Sequence, residues 1–273
     1  MIDYLQSIDP FWISLIPLIA FNTVMLAALA FFAITYDKRI KQTAEVNRKR
    51  HTKILSGFLK EWWYWILTPI EKIAIRFKIT PNAFTFLGLP IAALSAYFFY
   101  KGMIGLGGWV MIFGASCDLF DGRIARLTGK SSEAGAFFDS VMDRFGEAVV
   151  FLGLAGLYRD SWVLYFVVSA LVGSLMVSYV RARGEGLNVV CSGGLMQRPE
   201  RIVYLGVGSI LSPILAYSFS SYIQLPFDFL TITAIVFIAV MTNSTAVYRM
   251  FYIIKRLPKA DDSFRFLNNF PNS

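Results

Sequence analysis

Four aspartates, Asp118, Asp121, Asp139 and Asp143, fall in the short stretch C-D-L-F-D-G-R-I-A-R-L-T-G-K-S-S-E-A-G-A-F-F-D-S-V-M-D. Helical periodicity puts Asp118 and Asp121 on one face, one turn apart. It stacks Asp139 and Asp143 the same way on a second segment, with Gly135 one turn earlier. Apolar runs flank both halves, and carboxylates in such surroundings are costly unless compensated. Carboxylate oxygens suit hard divalent cations, Mg²⁺, Mn²⁺ or Ca²⁺, without choosing among them. The simplest chemistry is a metal site at a membrane, built by two helices. Two cations held by four carboxylates bind a diphosphate and stabilise charge on a leaving phosphate, largely by positioning and electrostatics.

The elements that must position these carboxylates are membrane helices. Of 273 residues, 56% are hydrophobic and 16% aromatic, and the mean hydropathy is +0.56. Apolar runs of spanning length lie near 11–35, 82–100, 103–125, 136–157, 162–180, 202–221 and 228–253. They have helix length rather than the short alternation of an outer-membrane barrel. The expected architecture is an all-α integral membrane protein: a six-helix transmembrane bundle with a juxtamembrane amphipathic helix and an extra N-terminal transmembrane helix. Residues 1–54 read as the anchor and a basic linker, 55–257 as the membrane domain, and 258–273 as a short polar tail expected to be poorly ordered.

Charge orients the spans. The leader M-I-D-Y-L-Q-S-I-D-P has no basic n-region, so the first run reads as an uncleaved anchor rather than a signal peptide. Lys38, Arg39, Lys41, Arg48, Lys49, Arg50 and Lys53 follow it. Arg123, Arg126 and Lys130, then Arg181, Arg183, Arg198 and Arg201, then Lys255, Arg256 and Lys259 fall on the same side if seven spans alternate. Positive-inside bias places that side, and the aspartates, in the cytoplasm of a bacterial cell membrane, with the N-terminus outside. The net charge of +8 serves topology, anionic lipid and phosphate. Nucleic acid is excluded as a partner because the charge is not presented on a soluble domain. Cys117 and Cys191 are both expected on the cytoplasmic side, where a disulfide is not expected. Cys117 reads as a small core residue, and His51, in the polar linker, is assigned no chemistry.

The stretch F-L-K-E-W-W-Y-W-I-L-T-P-I-E-K-I-A-I-R-F-K mixes charges with Trp62, Trp63 and Trp65. It reads as an interfacial helix, the alternative being a soluble helix packed on the body. T-P-N-A-F-T-F-L-G-L then marks a helix start, with Thr80 as a cap and Pro81 in the first turn. Gly122 and Gly135, lacking side chains, allow close approach of a helix or a nucleotide, and Ala125 is small for the same reason. Gly105, Gly107 and Gly108 read as helix packing. Arg126 reads either as a diphosphate contact or as a helix-end charge.

The full spacing D-x2-D-G-x2-A-R-x8-G-x3-D-x3-D resembles the signature of the CDP-alcohol phosphotransferase family, with every fixed position filled. The resemblance runs from about Thr80 to about Arg256. It implies a CDP-linked lipid donor, CDP-diacylglycerol, and a polar alcohol acceptor whose hydroxyl attacks the phosphorus nearest the lipid while CMP leaves. Carried over by position, Asp118, Asp121 and Asp139 ligate Mg²⁺ or Mn²⁺ in a two-metal site. Asp143 is the general base and also touches metal, and Asp118, Gly122, Ala125, Arg126 and Gly135 line the CDP site. The T-P-N-x-x-T element of the family implies that Asn82 and Thr85 touch cytidine, where their residue types alone fit a cap and a first turn equally well. A homodimer is compatible with the resemblance, and no segment identifies its interface. The extra anchor helix has no counterpart in the usual six-span plan.

S-Y-V-R-A-R-G-E-G and G-G-L-M-Q-R-P-E-R-I supply Arg181, Arg183, Arg198 and Arg201. Arginine forks match phosphate oxygens, as a phosphate-bearing acceptor would require; the alternative is ordinary loop charge. The stretch is similar to the inositol-phosphate branch of the family. That likeness implies that Ser178, Arg181, Arg201 and Arg249 surround the acceptor phosphate. Position 181 departs from the pattern, with arginine where lysine is common. Glu200 is expected to pair with a nearby arginine. Glycerol 3-phosphate or a lipid alcohol stands as the alternative acceptor. A prenyltransferase would also use aspartate pairs on a diphosphate, but on separate, distant helices. A cation transporter would also place carboxylates in a membrane, but needs no arginine-rich loop and would favour an inverted repeat, which is not visible.

Overall fold

The computed structural model describes residues 9–35, 57–77, 80–129, 132–191 and 193–257. The basic linker and the polar tail lie outside them. Among the described residues the chain forms eight α-helices: α1 (Pro10–Thr35), α2 (Gly57–Arg76), α3 (Pro81–Tyr100), α4 (Ile104–Leu127), α5 (Glu133–Leu157), α6 (Val163–Glu185), α7 (Arg198–Ser218) and α8 (Phe229–Ile254). These match the expected anchor, juxtamembrane helix and six-helix body.

Among the described residues, five helices are long and apolar enough to cross a membrane: α1, α3, α6, α7 and α8. Seven spans were expected, and the remaining two helices of the body, α4 and α5, are the two that carry the aspartates. At 24 and 25 residues, each reaches about 36 Å, ample for a hydrocarbon core of about 30 Å. The described apolar stretch of α4 covers Ile104–Ser116, and the helix goes on to carry Asp118, Asp121, Arg123 and Arg126, while α5 carries Glu133, Asp139, Asp143, Arg144 and Glu147.

Two arginine-bearing segments expected as loop are helical. α6 continues through Arg181 and Arg183 to Glu185. α7 begins at Arg198 rather than near residue 202, so Arg198, Glu200 and Arg201 occupy its first turn. Pro199 is the physical reason, since proline in the first turn loses no helical hydrogen bond and its fixed φ suits the helix.

The helices divide between two compact units. The first comprises residues 1–91 and 113–146, the second residues 92–112 and 147–273. In the first, Phe31 and Phe32 of α1 lie against Trp65 of α2, with ring centroids 5.8 and 5.6 Å away. Trp65, expected at the lipid headgroups, is thus also a docking point for the anchor helix. Ala74, Phe84, Phe120 and Ile124 form a small core that joins α2, α3 and α4.

The second unit holds the larger core, built around Phe99, Phe151, Leu154, Val167, Leu205 and Ile235. Small residues set its helix spacing. A methyl added at Gly153 would lie 2.3 Å from the carbonyl oxygen of Ala96, and one at Gly108 2.7 Å from that of Gly206. Gly107 meets the Phe99 ring in the same way, in line with the packing role expected of these glycines. Asn243 Nδ2 on α8 donates to the carbonyl and hydroxyl oxygens of Ser169 on α6, at 3.1 and 3.2 Å.

Candidate active site

The residues expected to hold the metal and the donor lie in the first unit. α3 starts at Pro81, as expected from T-P-N, and places Asn82 exposed and Thr85 buried in its first turns. α5 starts after Ser132, whose hydroxyl oxygen accepts from the Gly135 backbone N–H at 3.0 Å and so caps the helix. A methyl at Gly135 would lie 3.1 Å from Ser132 Oγ and 3.6 Å from Asn82 Oδ1. The start of α3 and the first turn of α5 therefore meet at Gly135, and two residues expected to line one nucleotide site are brought together.

From that cap, α5 carries Asp139 and Asp143 one turn apart, and α4 carries Asp118 and Asp121 at helical spacing of three. Asp139 Oδ1 is shielded from solvent. The side chains of Asp118 and Asp121 lie outside the described residues, and among the described residues no group of three or more His, Cys, Asp or Glu is gathered as a ready metal cage. The donor chemistry fits a hard divalent cation: the available groups are carboxylate oxygens, and one of them is already removed from water.

Three arginines flank the aspartates and behave differently. Arg123 is ion-paired through Nε to Glu71 Oε1 of α2, with side chains 11% and 6% exposed. Arg126 is exposed, and a methyl at Gly122 would lie 3.4 Å from its Nη1. Glycine at 122 thus leaves room beside that guanidinium. Arg144 turns back on its own helix, donating from Nη1 to Ser140 Oγ at 2.8 Å. Ala125, between Arg123 and Arg126, is partly buried on α4.

The residues expected to surround the acceptor phosphate lie in the second unit. Arg249 on α8 is 2% exposed. It donates from Nε to the Gly193 carbonyl at 2.8 Å and from Nη1 to the Val177 carbonyl at 2.9 Å. Ser178 follows Val177 directly, so α6, α8 and the α6–α7 connection meet at this arginine. Gly194, at φ +119°, lets the connection turn there; a methyl on it would lie 2.4 Å from Thr245 Cγ2. Cys191 in the same connection is a buried free thiol.

Arg201 is equally buried but differently held. Nε and Nη2 donate to Glu147 Oε1 and Oε2 at 2.5 and 2.7 Å, and Nη1 donates to the Met196 carbonyl at 3.3 Å. Arg181 is exposed and paired with Glu185 at 2.9 Å, one turn along α6. Arg183 is exposed, and Arg198 is partly buried. Glu200 was expected to pair with a nearby arginine, and among the described residues no such pair is seen. Its Oε2 is buried with no hydrogen-bond partner among the described residues, and Arg201 in the same turn pairs with Glu147 of α5. Glu147 is the carboxylate that orders this region, and sequence reasoning did not assign it, nor Glu71. Both had a signal: Glu147 continues the four-residue stride of Asp139 and Asp143, and Glu71 is an acid within an otherwise basic and aromatic amphipathic stretch.

Residues 78–241 match the family model described as CDP-alcohol phosphatidyltransferase. The chain is 38% identical to the archaetidylinositol phosphate synthase of Pyrococcus horikoshii, over 54% of this chain and 79% of that protein. It is 34% identical to the phosphatidylinositol phosphate synthase of Mycolicibacterium smegmatis, over 54% of this chain and 68% of that protein. The fold is similar to crystal structures of the Mycobacterium tuberculosis phosphatidylinositol phosphate synthase. The complex with manganese and citrate aligns with a TM-score of 0.61 at 28% identity, covering 68% of this chain and 88% of that one. The complex with CDP-DAG bound aligns with a TM-score of 0.60 at 28% identity, covering 69% and 93%.

Proposed function

This chain belongs to the CDP-alcohol phosphatidyltransferase family, and from that membership we propose that it transfers a phosphatidyl group from CDP-diacylglycerol to inositol phosphate. The products are phosphatidylinositol phosphate and CMP. Family membership sets aside the cation-transporter and prenyltransferase readings. The acceptor hydroxyl oxygen forms the new bond to the phosphorus nearest the lipid, the bond from that phosphorus to the CMP oxygen breaks, and the acceptor proton passes to Asp143.

A bound divalent cation, Mg²⁺ or Mn²⁺, neutralises the diphosphate and the departing CMP. Asp118, Asp121 and Asp139 are the residues that would hold it, with room for a second ion shared with Asp143. Asn82, Thr85, Gly122, Ala125, Arg126 and Gly135 orient the nucleotide. The juxtaposition of Gly135 with Asn82 supports that part of the reading.

The single observation that favours a phosphate-bearing acceptor is Arg249. It is a cation at 2% exposure whose hydrogen bonds go to two backbone carbonyls. A buried guanidinium solvated by carbonyls keeps its full charge for an anion, whereas one paired to a carboxylate does not. Ser178, Arg181, Arg183, Arg198 and Arg201 complete the acceptor set. The active site faces the cytoplasm, where water-soluble acceptor and CMP are exchanged, and the protein works as a monomer or a homodimer.

The test is CMP release from CDP-diacylglycerol by purified protein with Mg²⁺ or Mn²⁺, across a panel of acceptors. Release that depends on inositol phosphate supports donor and acceptor together. Release with glycerol 3-phosphate or a lipid alcohol instead replaces the acceptor and keeps the class.

A further inference from the structure

Resting on the phosphate-bearing acceptor proposed above, we infer that Glu147 is a positioning residue for that acceptor: it holds the Arg201 guanidinium in one plane and direction. Both oxygens of Glu147 are used, at 2.5 Å to Nε and 2.7 Å to Nη2. The side chains of Arg201 and Glu147 are 3% and 9% exposed. A guanidinium has five N–H bonds in a rigid fork. Glu147 takes two and the Met196 carbonyl a third, which leaves one N–H on each Nη. With the fork clamped on its Nε side, the direction of those two bonds is set by Glu147 on α5 and not by the flexible stem of Arg201. Glu147 also stands four residues after Asp143 on the same helix, so α5 carries both the proposed base and the residue that aims the acceptor arginine.

Glu147 also cancels the charge of Arg201. Charge and geometry therefore make opposite demands. If net charge alone governed acceptor binding, removing the carboxylate would free a cation and tighten the anion. If positioning governs it, removing the carboxylate lets the fork swing and weakens the anion, despite the added positive charge. The geometry is the larger effect here because a bidentate, shielded pair fixes the donor directions that a phosphate must meet.

The experiment is CMP release by the purified full-length chain, with CDP-diacylglycerol and Mg²⁺, at varied inositol phosphate. Glu147→Gln is expected to raise the KM for inositol phosphate about tenfold, the value of one charge-assisted hydrogen bond, with the KM for CDP-diacylglycerol unchanged. Glu147→Asp keeps the charge and loses reach, so a smaller rise of about threefold is expected, and it carries the test if the glutamine variant fails to fold. An inositol-phosphate KM that is unchanged or lower overturns the inference. So does an equal rise in both KM values with a matching loss of thermal stability, which would make Glu147 a structural brace. A wild-type protein that releases CMP only with phosphate-free acceptors overturns the acceptor reading and this inference with it. A wild-type protein active on inositol phosphate whose variants keep its KM overturns the inference alone.

Discussion

Glu71 on α2 and Arg123 on α4 form an ion pair with both side chains almost fully covered, 6% and 11% exposed. It ties the amphipathic helix to the helix that bears Asp118 and Asp121. Glu71 precedes the residues 78–241 matched by the family model, so a segment outside that domain steadies its central helix. Glu71→Gln removes the charge that compensates a shielded guanidinium, and a loss of about 3 kcal/mol is expected. Glu71→Leu combined with Arg123→Leu should recover most of it, since replacing both partners by apolar groups restores a satisfied interior. Thermal unfolding in detergent micelles measures both. An unchanged Tm in Glu71→Gln would mean that the pair contributes nothing net.

Gly194 sits at φ +119° with Thr245 Cγ2 2.4 Å from where a Cβ would be. Neither condition admits an L side chain. Its neighbour Gly193 supplies the carbonyl that accepts from Arg249 Nε. Gly194→Ala must therefore move the connection that helps hold Arg249. A rise of about tenfold in the acceptor KM is expected, the value of one charge-assisted hydrogen bond. CMP-release kinetics at varied inositol phosphate read it, with the CDP-diacylglycerol KM as the internal control.

The aspartate helices, the anchor and the six-helix body were legible because hydropathy and carboxylate spacing are local signals. The start of α3 at Pro81 was legible for the same reason, through its cap chemistry. What escaped was pairing. Nothing local distinguishes Glu147 from Glu200 as the partner of Arg201; the choice follows from where α7 begins, and Pro199 moves that start to Arg198. Arg123 was legible only as a topology charge, because Glu71 lies 52 residues away in sequence.

Tyr158, in the turn after α5, donates to Asp228 Oδ2 at 2.9 Å. Burial first, and then the neighbouring Asp228, raise its pKa above the ordinary value of 10.0. The folded chain therefore keeps this proton where the unfolded chain has lost it. Stability from this group is fully present below about pH 10 and falls as pH rises beyond that. Tyr158→Phe should flatten the fall, at a cost near neutral pH of about 1 kcal/mol for the lost hydrogen bond. Unfolding curves of the two proteins between neutral pH and pH 11 test this, and parallel alkaline losses would remove Tyr158 as their source.

Asp139 and Asp143 are one turn apart on α5 but are expected to fail differently. In the proposed reaction Asp143 accepts the hydroxyl proton, so Asp143→Asn should lower transfer about a thousandfold, within the range for loss of a general base. CDP-diacylglycerol binding should remain, because the nucleotide contacts proposed at Asn82, Gly122 and Gly135 are untouched. Asp139 is the carboxylate with an oxygen shielded from solvent, suited to holding a cation, so Asp139→Asn should instead shift the Mn²⁺ requirement to higher concentration. Mn²⁺ titration followed by electron paramagnetic resonance separates the two without relying on turnover. Weakened Mn²⁺ binding in Asp139→Asn alone supports the division of roles. Equal weakening in both variants would make Asp143 chiefly a metal ligand and send the search for the base elsewhere.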